Sequence, residues 1–291
     1  MGKPLASVYA ANKMNWLTVP LFLLVVACGA PGRAQSWSEA HTPAPGTTQV
    51  FGFYTAGCIQ GARALPTEGP GYEAIRLSRN RNWGHPTTID YVRQLADKVR
   101  RAGQTHLYIR DIGQPRGGPM STGHSSHQNG LDVDISYERS ARPALPPAQR
   151  EQVAVRSLLR ADQRALDDTV FSDQHVTLLR LAAEPKNVDR IFVNRFTKKR
   201  LCESVTGNRG WIARIVPWSG HDSYFHVRLR CPPGQPQCLA QAEIGGDDGC
   251  GDALDLWFRA PPSSSLSIPS GPRTENRSRL PLACDRVLSA P

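Results

Sequence analysis

The sequence predicts an α+β fold, on three observations. Residues 85–103 carry apolar side chains at helical spacing, and residues 105–110, 131–135, 190–194 and 225–229 read as strands. The two kinds of segment do not alternate in the regular strand-helix-strand order of a parallel sheet. With 291 residues the chain is long enough for one large domain that buries its own core. Structure is expected to begin near Val50-Phe51-Gly52-Phe53-Tyr54. Ile89, Val92, Leu95, Ala96 and Val99 then mark the clearest helix, with Thr87 as its N-cap, Asp90 three residues on, and Gly103 as its stop. The strand at 105–110 feeds a glycine-rich loop, residues 113–130. In the next strand, Leu131-Asp132-Val133-Asp134-Ile135, alternation puts Asp132 and Asp134 on one face and Val133 on the other. Pro143, Pro146 and Pro147 break the chain. Further helices are expected over residues 151–160 and 176–183.

At the N-terminus, Lys3 and Lys13 accompany an apolar run from Trp16 to Ala27. That run is shorter than the roughly 20 residues a spanning helix needs and suits a secretion signal. Residues 1–34 are read as that signal, with cleavage after Ala34. Val25-Val26-Ala27-Cys28 also fits a lipoprotein signal, in which case acylated Cys28 would be the sole membrane attachment. Residues 35–49 read as a flexible arm, 50–260 as the folded domain, and 261–291 as a Pro- and Ser-rich extension whose end Cys284 ties back.

Seven cysteines are present, and without Cys28 six remain: Cys58, Cys202, Cys231, Cys238, Cys250 and Cys284. An even number in an exported chain points to three disulfides. Zinc thiolates are the rival, but no Cys-x-x-Cys occurs. The net charge of +10 comes from scattered Arg and Lys, and clusters such as Lys198-Lys199-Arg200 lack interleaved aromatics. This argues against a nucleic-acid partner; an anionic wall polymer, or plain solubility, accounts for the charge instead.

Four of the eight histidines fall in two short segments. Gly123-His124-Ser125-Ser126-His127 leads to Asp132 and Asp134, and Gly220-His221-Asp222-Ser223-Tyr224-Phe225-His226 follows about ninety residues later. His127, Asp134 and His226 make the best ligand set for zinc. Two imidazoles and a carboxylate leave one tetrahedral position open, the arrangement of a hydrolytic rather than a structural site. His124 reads as a further metal contact, a donor to substrate, or a partner that orients Asp134 or His127. His221 is the candidate for proton handling, with a loop residue packed beside Trp218 as the alternative. His41, His85, His106 and His175 are assigned structural roles.

Arg110-Asp111-Ile112-Gly113 through Gly117-Gly118-Pro119-Met120, followed by Gly123-His124-x-x-His127-Gln128-x-Gly130-Leu131-Asp132-Val133-Asp134, closely resembles the penicillin-insensitive murein endopeptidases of Gram-negative bacteria. So do Arg79-Asn80-Arg81-Asn82-Trp83-Gly84-His85-Pro86, Arg190-Ile191-Phe192-Val193-Asn194, Leu201-Cys202, Val227-Arg228-Leu229-Arg230-Cys231-Pro232 and Gly249-Cys250-Gly251. The resemblance implies the fold shared by lysostaphin-type peptidases, D-alanyl-D-alanine metallopeptidases and the hedgehog zinc domain, built on a small antiparallel sheet flanked by helices. It implies a periplasmic enzyme that hydrolyses the D-alanyl-diaminopimelate cross-link of peptidoglycan, with His127, Asp134 and His226 on zinc and His124 and His221 as further active-site histidines. It also implies the pairings Cys58–Cys284, Cys202–Cys250 and Cys231–Cys238. Gly117 and Gly118 would let backbone approach an extended stem peptide.

Two departures stand out. The family has His-x-His where this chain has Tyr224-Phe225-His226, and a phenol is a poor base at neutral pH although it can donate to an oxyanion. Where the family has Asp-x-x-His, this chain has Asp162-Gln163-Arg164-Ala165, so one zinc is expected and a second is doubtful. The rival functions are a zinc-containing wall-binding protein weakened in catalysis, and a D,D-carboxypeptidase.

Overall fold

In chain order, β1 (Gln49–Phe53) and β2 (Ala56–Gln60) form an antiparallel hairpin. β3 (Arg63–Ala64) pairs with β6 (Trp83–Gly84), and β4 (Glu68–Gly69) with β5 (Tyr72–Ala74). β7 (His106–Ile109), β8 (Asp132–Ser140), β9 (Val188–Val193), β10 (Ile215–Pro217) and β11 (Tyr224–Leu229) complete the strands, and α1 (Pro86–Arg101), α2 (Pro147–Arg150), α3 (Asp173–Ala183), α4 (Arg195–Ser204), α5 (Asp252–Arg259) and α6 (Ala283–Ser289) are the helices. This computed structural model describes residues 1–2, 36–140, 144–259 and 279–291.

The main sheet has seven strands in the order β10-β9-β11-β8-β7-β5-β4. It is larger than the small antiparallel sheet expected, and it is mixed: β10 runs parallel to β9 and β5 parallel to β7. Parallel neighbours need a crossover, and helices supply it in both places, α1 between β5 and β7 and α4 between β9 and β10. The antiparallel centre of the sheet is β9-β11-β8-β7.

Alternation along the central strands separates core from site. Val133, Ile135 and Tyr137 of β8 join Phe225, Val227 and Leu229 of β11 in one apolar core with Ile89, Val92, Leu95 and Val99 of α1 and Leu178, Leu179 and Ala182 of α3. Each such aliphatic side chain stabilises the fold by about 1.5–3 kcal/mol. Asp132, Asp134, Tyr224, His226 and Arg228 take the opposite positions in the alternation, so burying the apolar set fixes where the polar set points.

Several local expectations change. The first helix is capped by His85, whose Nδ1 accepts from the Thr87 N–H at 3.1 Å, with Pro86 at the first helical position; Thr87 lies inside the helix. The helix expected over residues 151–160 is absent. The Leu158 N–H donates to the Asp222 carbonyl at 2.8 Å and Leu159 bridges to Leu166, so contacts to the His221 loop pull this segment out of a helix. Asn194, expected inside a strand, ends β9 and caps α4 by accepting from the Phe196 N–H at 3.0 Å. Within the arm expected over residues 35–49, Trp37–Glu39 form a 3₁₀ turn and Ala40 and Ala44 are buried.

The three disulfides are Cys58–Cys284, Cys202–Cys250 and Cys231–Cys238, the pairs the resemblance implies. Through the first, α6 is held against β2 in a small cluster with Ala44, Phe51 and Val287. The extension expected before it lies mostly outside the described residues, as do the signal segment and Cys28. Among the described residues no helix is long and apolar enough to cross a membrane.

Candidate metal centre

β8 and β11 are paired so that His226 faces Asp134 directly, with Arg228 facing Asp132 and Tyr224 facing Ser136. Two candidate ligands ninety residues apart in sequence thus become one cross-strand pair. The third member comes from the loop before β8. His127 has the left-handed backbone, φ +66, which costs a non-glycine residue on the order of 1 kcal/mol. Two hydrogen bonds offset the strain: the His127 N–H donates to Asp132 Oδ2 at 2.9 Å, and Nδ1 lies 2.8 Å from the Ile112 carbonyl.

A carbonyl can only accept, so Nδ1 of His127 carries the proton and Nε2 presents its lone pair to the pocket. That Nε2 lies 3.1 Å from His226 Nδ1 and 3.3 Å from Asp134 Oδ1, and His226 Nδ1 is also 3.3 Å from Asp134 Oδ1. Donors held at about 2.0–2.1 Å by a tetrahedral zinc lie about 3.3 Å apart, so all three edges of this triangle fit such an ion. Asp134 Oδ1 is buried and lacks a hydrogen-bond partner among the described residues, the condition expected of an atom meant for a cation.

His124 extends the set: His124, His127 and Asp134 offer ligand atoms within 4.8 Å of one another. Its geometry differs from that of the triangle. Nε2 of His124 is 2.8 Å from Asp111 Oδ2, while Nδ1 is 3.7 Å from Asp134 Oδ2. His124 therefore sits at the rim, held by a carboxylate.

Two further carboxylates surround the triangle. Asp132 is fully buried, lies 3.0 Å from His226 Nε2, and receives Arg228 Nε at 2.9 Å and Nη2 at 3.3 Å. Burial opposes its ionisation, but Arg228 and then His226 outweigh it and hold the carboxyl far below the usual range. Asp134 behaves alike, burial being overcome by His127 and His226. Asp111 is reached by Arg79 and Arg81, each at 3.1 Å, and His124 and then Arg79 hold its carboxyl below the usual range against burial. The triangle is thus buried, anionic and oriented from behind, as an ion site requires.

His221 and Tyr224 flank the triangle, with ring centres 4.9 Å apart. His221 also has positive φ, +52, and its Nδ1 is 2.8 Å from the Ser219 carbonyl, which leaves Nε2 as an open acceptor. Burial, followed by His226, pushes its pKa down to about 4, so the ring is neutral at pH 7. Burial and then Asp134 raise the Tyr224 phenol above its ordinary range, so it remains a donor. Gly117 and Gly118 are buried, with φ of +67 and +74. A Cβ on them would meet the Gln128 carbonyl oxygen and the Trp37 ring at 2.0 Å, so their bareness admits those two neighbours. Asp162 lies in an exposed turn, accepting from the Arg164 N–H at 3.0 Å, and Ala165 offers no ligand.

Sequence reasoning missed Asp111 as the anchor of His124, Arg228 as the partner of Asp132, and Arg110, whose guanidinium carbon sits 4.3 Å from the Tyr224 ring centre. Only the i, i+2 spacing of Asp132 and Asp134 signalled that the two carboxylates share a face.

A sheet-borne cluster of histidine and carboxylate, once set beside known proteins, defines the class as a peptidase of the murein-cleaving kind. The family model described as penicillin-insensitive murein endopeptidase matches residues 50–289. The chain is 39% identical over 286 residues to the penicillin-insensitive murein endopeptidase of Haemophilus influenzae, covering 96% of this chain and 97% of that protein. It is 35% identical to the Klebsiella pneumoniae protein of that name, over 93% of this chain and 97% of the relative, and 34% identical to the one from Escherichia coli K12, over 94% and 98%. The chain belongs to the penicillin-insensitive murein endopeptidase family.

Proposed function

We infer that this chain is an exported, zinc-dependent endopeptidase that hydrolyses the D-alanyl-diaminopimelate cross-link of peptidoglycan in the periplasm. The observation that carries the reading is the triangle of His127 Nε2, Asp134 Oδ1 and His226 Nδ1, with edges of 3.1–3.3 Å that suit three of the four positions of a tetrahedral ion. The relatives are named for action on murein, and three disulfides suit an oxidising compartment. Attachment to a membrane would come only through acylated Cys28.

Zinc held by His127, Asp134 and His226 would supply Lewis acidity toward a peptide carbonyl and toward water. Asp132 and the Ile112 carbonyl fix the tautomers of His226 and His127, so that lone pairs rather than N–H groups face the ion. His221, neutral and with Nε2 open, takes the proton from water and returns it to the leaving amine. Tyr224 donates toward the oxygen that gains charge on the substrate carbonyl, while His124, whose Nε2–H is held by Asp111, turns the Nδ1 lone pair toward Asp134 and the ion as a further contact. One ion suffices for these roles, and with alanine at 165 no second one is proposed.

The test is incubation of the purified protein with cross-linked muropeptide dimers, with and without chelator. Monomers that form only without chelator support the reading. Dimers that stay intact yet are retained by the protein would make it a wall binder, and loss of terminal D-alanine with the cross-link untouched would make it a carboxypeptidase.

A further inference from the structure

Arg110 follows β7 directly, and its N–H donates to the Asp134 carbonyl at 2.9 Å, so it stands next to Asp134 across the sheet. Its guanidinium carbon lies 4.3 Å from the Tyr224 ring centre, which puts the charge over the face that carries Tyr224 and His226. Its Nη1 is buried and has no hydrogen-bond partner among the described residues. A buried guanidinium N–H without an acceptor is costly, and the planar fork of arginine is matched to carboxylate. Positive charge is also in surplus here. Burial, and after it Arg110 and Arg79, push the Arg76 pKa down, which means three guanidinium groups share this flank. The nearby acids are committed elsewhere: Asp111 to Arg79, Arg81 and His124, and Glu151 to Ser78.

We propose that Arg110 binds a substrate carboxylate, the one carried by the carbon to which the nitrogen of the scissile amide is attached. The proposal rests on the cross-link cleavage inferred above. In a D-alanyl-diaminopimelate link that carbon bears a free carboxylate two bonds from the nitrogen. Arg110 is one strand spacing, about 5 Å, from the Asp134 strand, so a peptide whose carbonyl meets the triangle brings that carboxylate within its reach. Tyr224 then serves as the platform that holds the guanidinium flat. A residue in this role selects leaving groups with a free α-carboxylate and rejects the same groups when amidated.

The leaving half of the cross-link, a diaminopimelate-containing stem monomer, tests this without turnover because it has no scissile bond. Its Kd for the zinc-loaded full chain is measured with the carboxylate free and with the same position as carboxamide. The free acid should bind about tenfold tighter or more, and in Arg110→Ala and Arg110→Lys the two forms should come within about threefold of each other while the amide keeps its affinity. Equal binding of acid and amide by the native protein would overturn the proposal, and needs no variant to fold. So would a preference that survives in Arg110→Ala with zinc content unchanged. Failure to cleave dimers with the acid preference intact would sink the inferred hydrolysis and leave the subsite standing.

Discussion

Asp132 Oδ1 lies 3.0 Å from Nε2 of His226, on the side of the ring away from Asp134. The same carboxylate receives the backbone N–H of His127 and the guanidinium of Arg228, so one buried anion orients two members of the triangle. Asp132→Asn should lower zinc affinity about 10- to 100-fold, the usual cost of removing such an orienting group. Competition with a chelator of known affinity reads this directly. Unchanged affinity in a folded variant would mean that Asp132 serves only to neutralise Arg228.

The raised pKa of the Tyr224 phenol, caused by burial and then by Asp134, makes it a donor and not a base. Tyr224→His should raise the turnover of muropeptide dimers roughly tenfold by adding a second proton-accepting ring beside His221. Unchanged or lower turnover would count against assigning proton handling to this corner of the site.

His85 caps α1 through Nδ1, and burial pushes its pKa down to about 4. Between pH 4 and an unfolded value near 6.5 the unfolded chain binds more protons than the folded one, so stability rises with pH across that window. The contribution is fully present above pH 6.5 and is lost as the pH falls toward 4, with a slope of at most about 1.4 kcal/mol per pH unit. His85→Asn keeps a capping side chain without the titration. Urea unfolding of both proteins in chelator should show a shallower acid slope for the variant; parallel slopes would refute this.

Cys58–Cys284 closes a separation of 226 residues and Cys231–Cys238 one of 7. Chain entropy gives about 5 kcal/mol for the first loop and about 2.5 for the second. Replacing both cysteines of each pair by serine should therefore lower the unfolding free energy about twice as much for Cys58–Cys284. Equal losses, or the reverse order, in guanidinium unfolding would contradict the loop-length argument.

The central strands and the candidate ligands on them are legible in the sequence because period-two alternation ties a face to a residue. Once Val133 and Val227 are assigned to the core, Asp134 and His226 must share the other face. The parallel pairs of the sheet were not legible, since their strands are three residues long, β5 at Tyr72–Ala74 and β10 at Ile215–Pro217. The helix at Arg195–Ser204 was hidden by its charged run Lys198-Lys199-Arg200, although Lys198 is buried and donates to the Ile212 carbonyl at 2.9 Å. Nor could any local pattern reveal Asp111 behind His124, or the positive φ of His127 and His221. The first two depend on Arg79, Arg81 and Ile112 arriving from other parts of the loop network, and the contact of His221 to the Ser219 carbonyl, though local, carries no residue-type signal.

The central claim is that His127, Asp134 and His226 hold one ion on which hydrolysis depends. Elemental analysis of the dialysed protein and of the three single alanine variants, run beside dimer digestion, tests it most directly. One zinc per native chain, with metal and cleavage lost together in each variant, is the predicted result. A variant that loses the metal and still cleaves dimers, or a native protein that cleaves them while holding none, would contradict it.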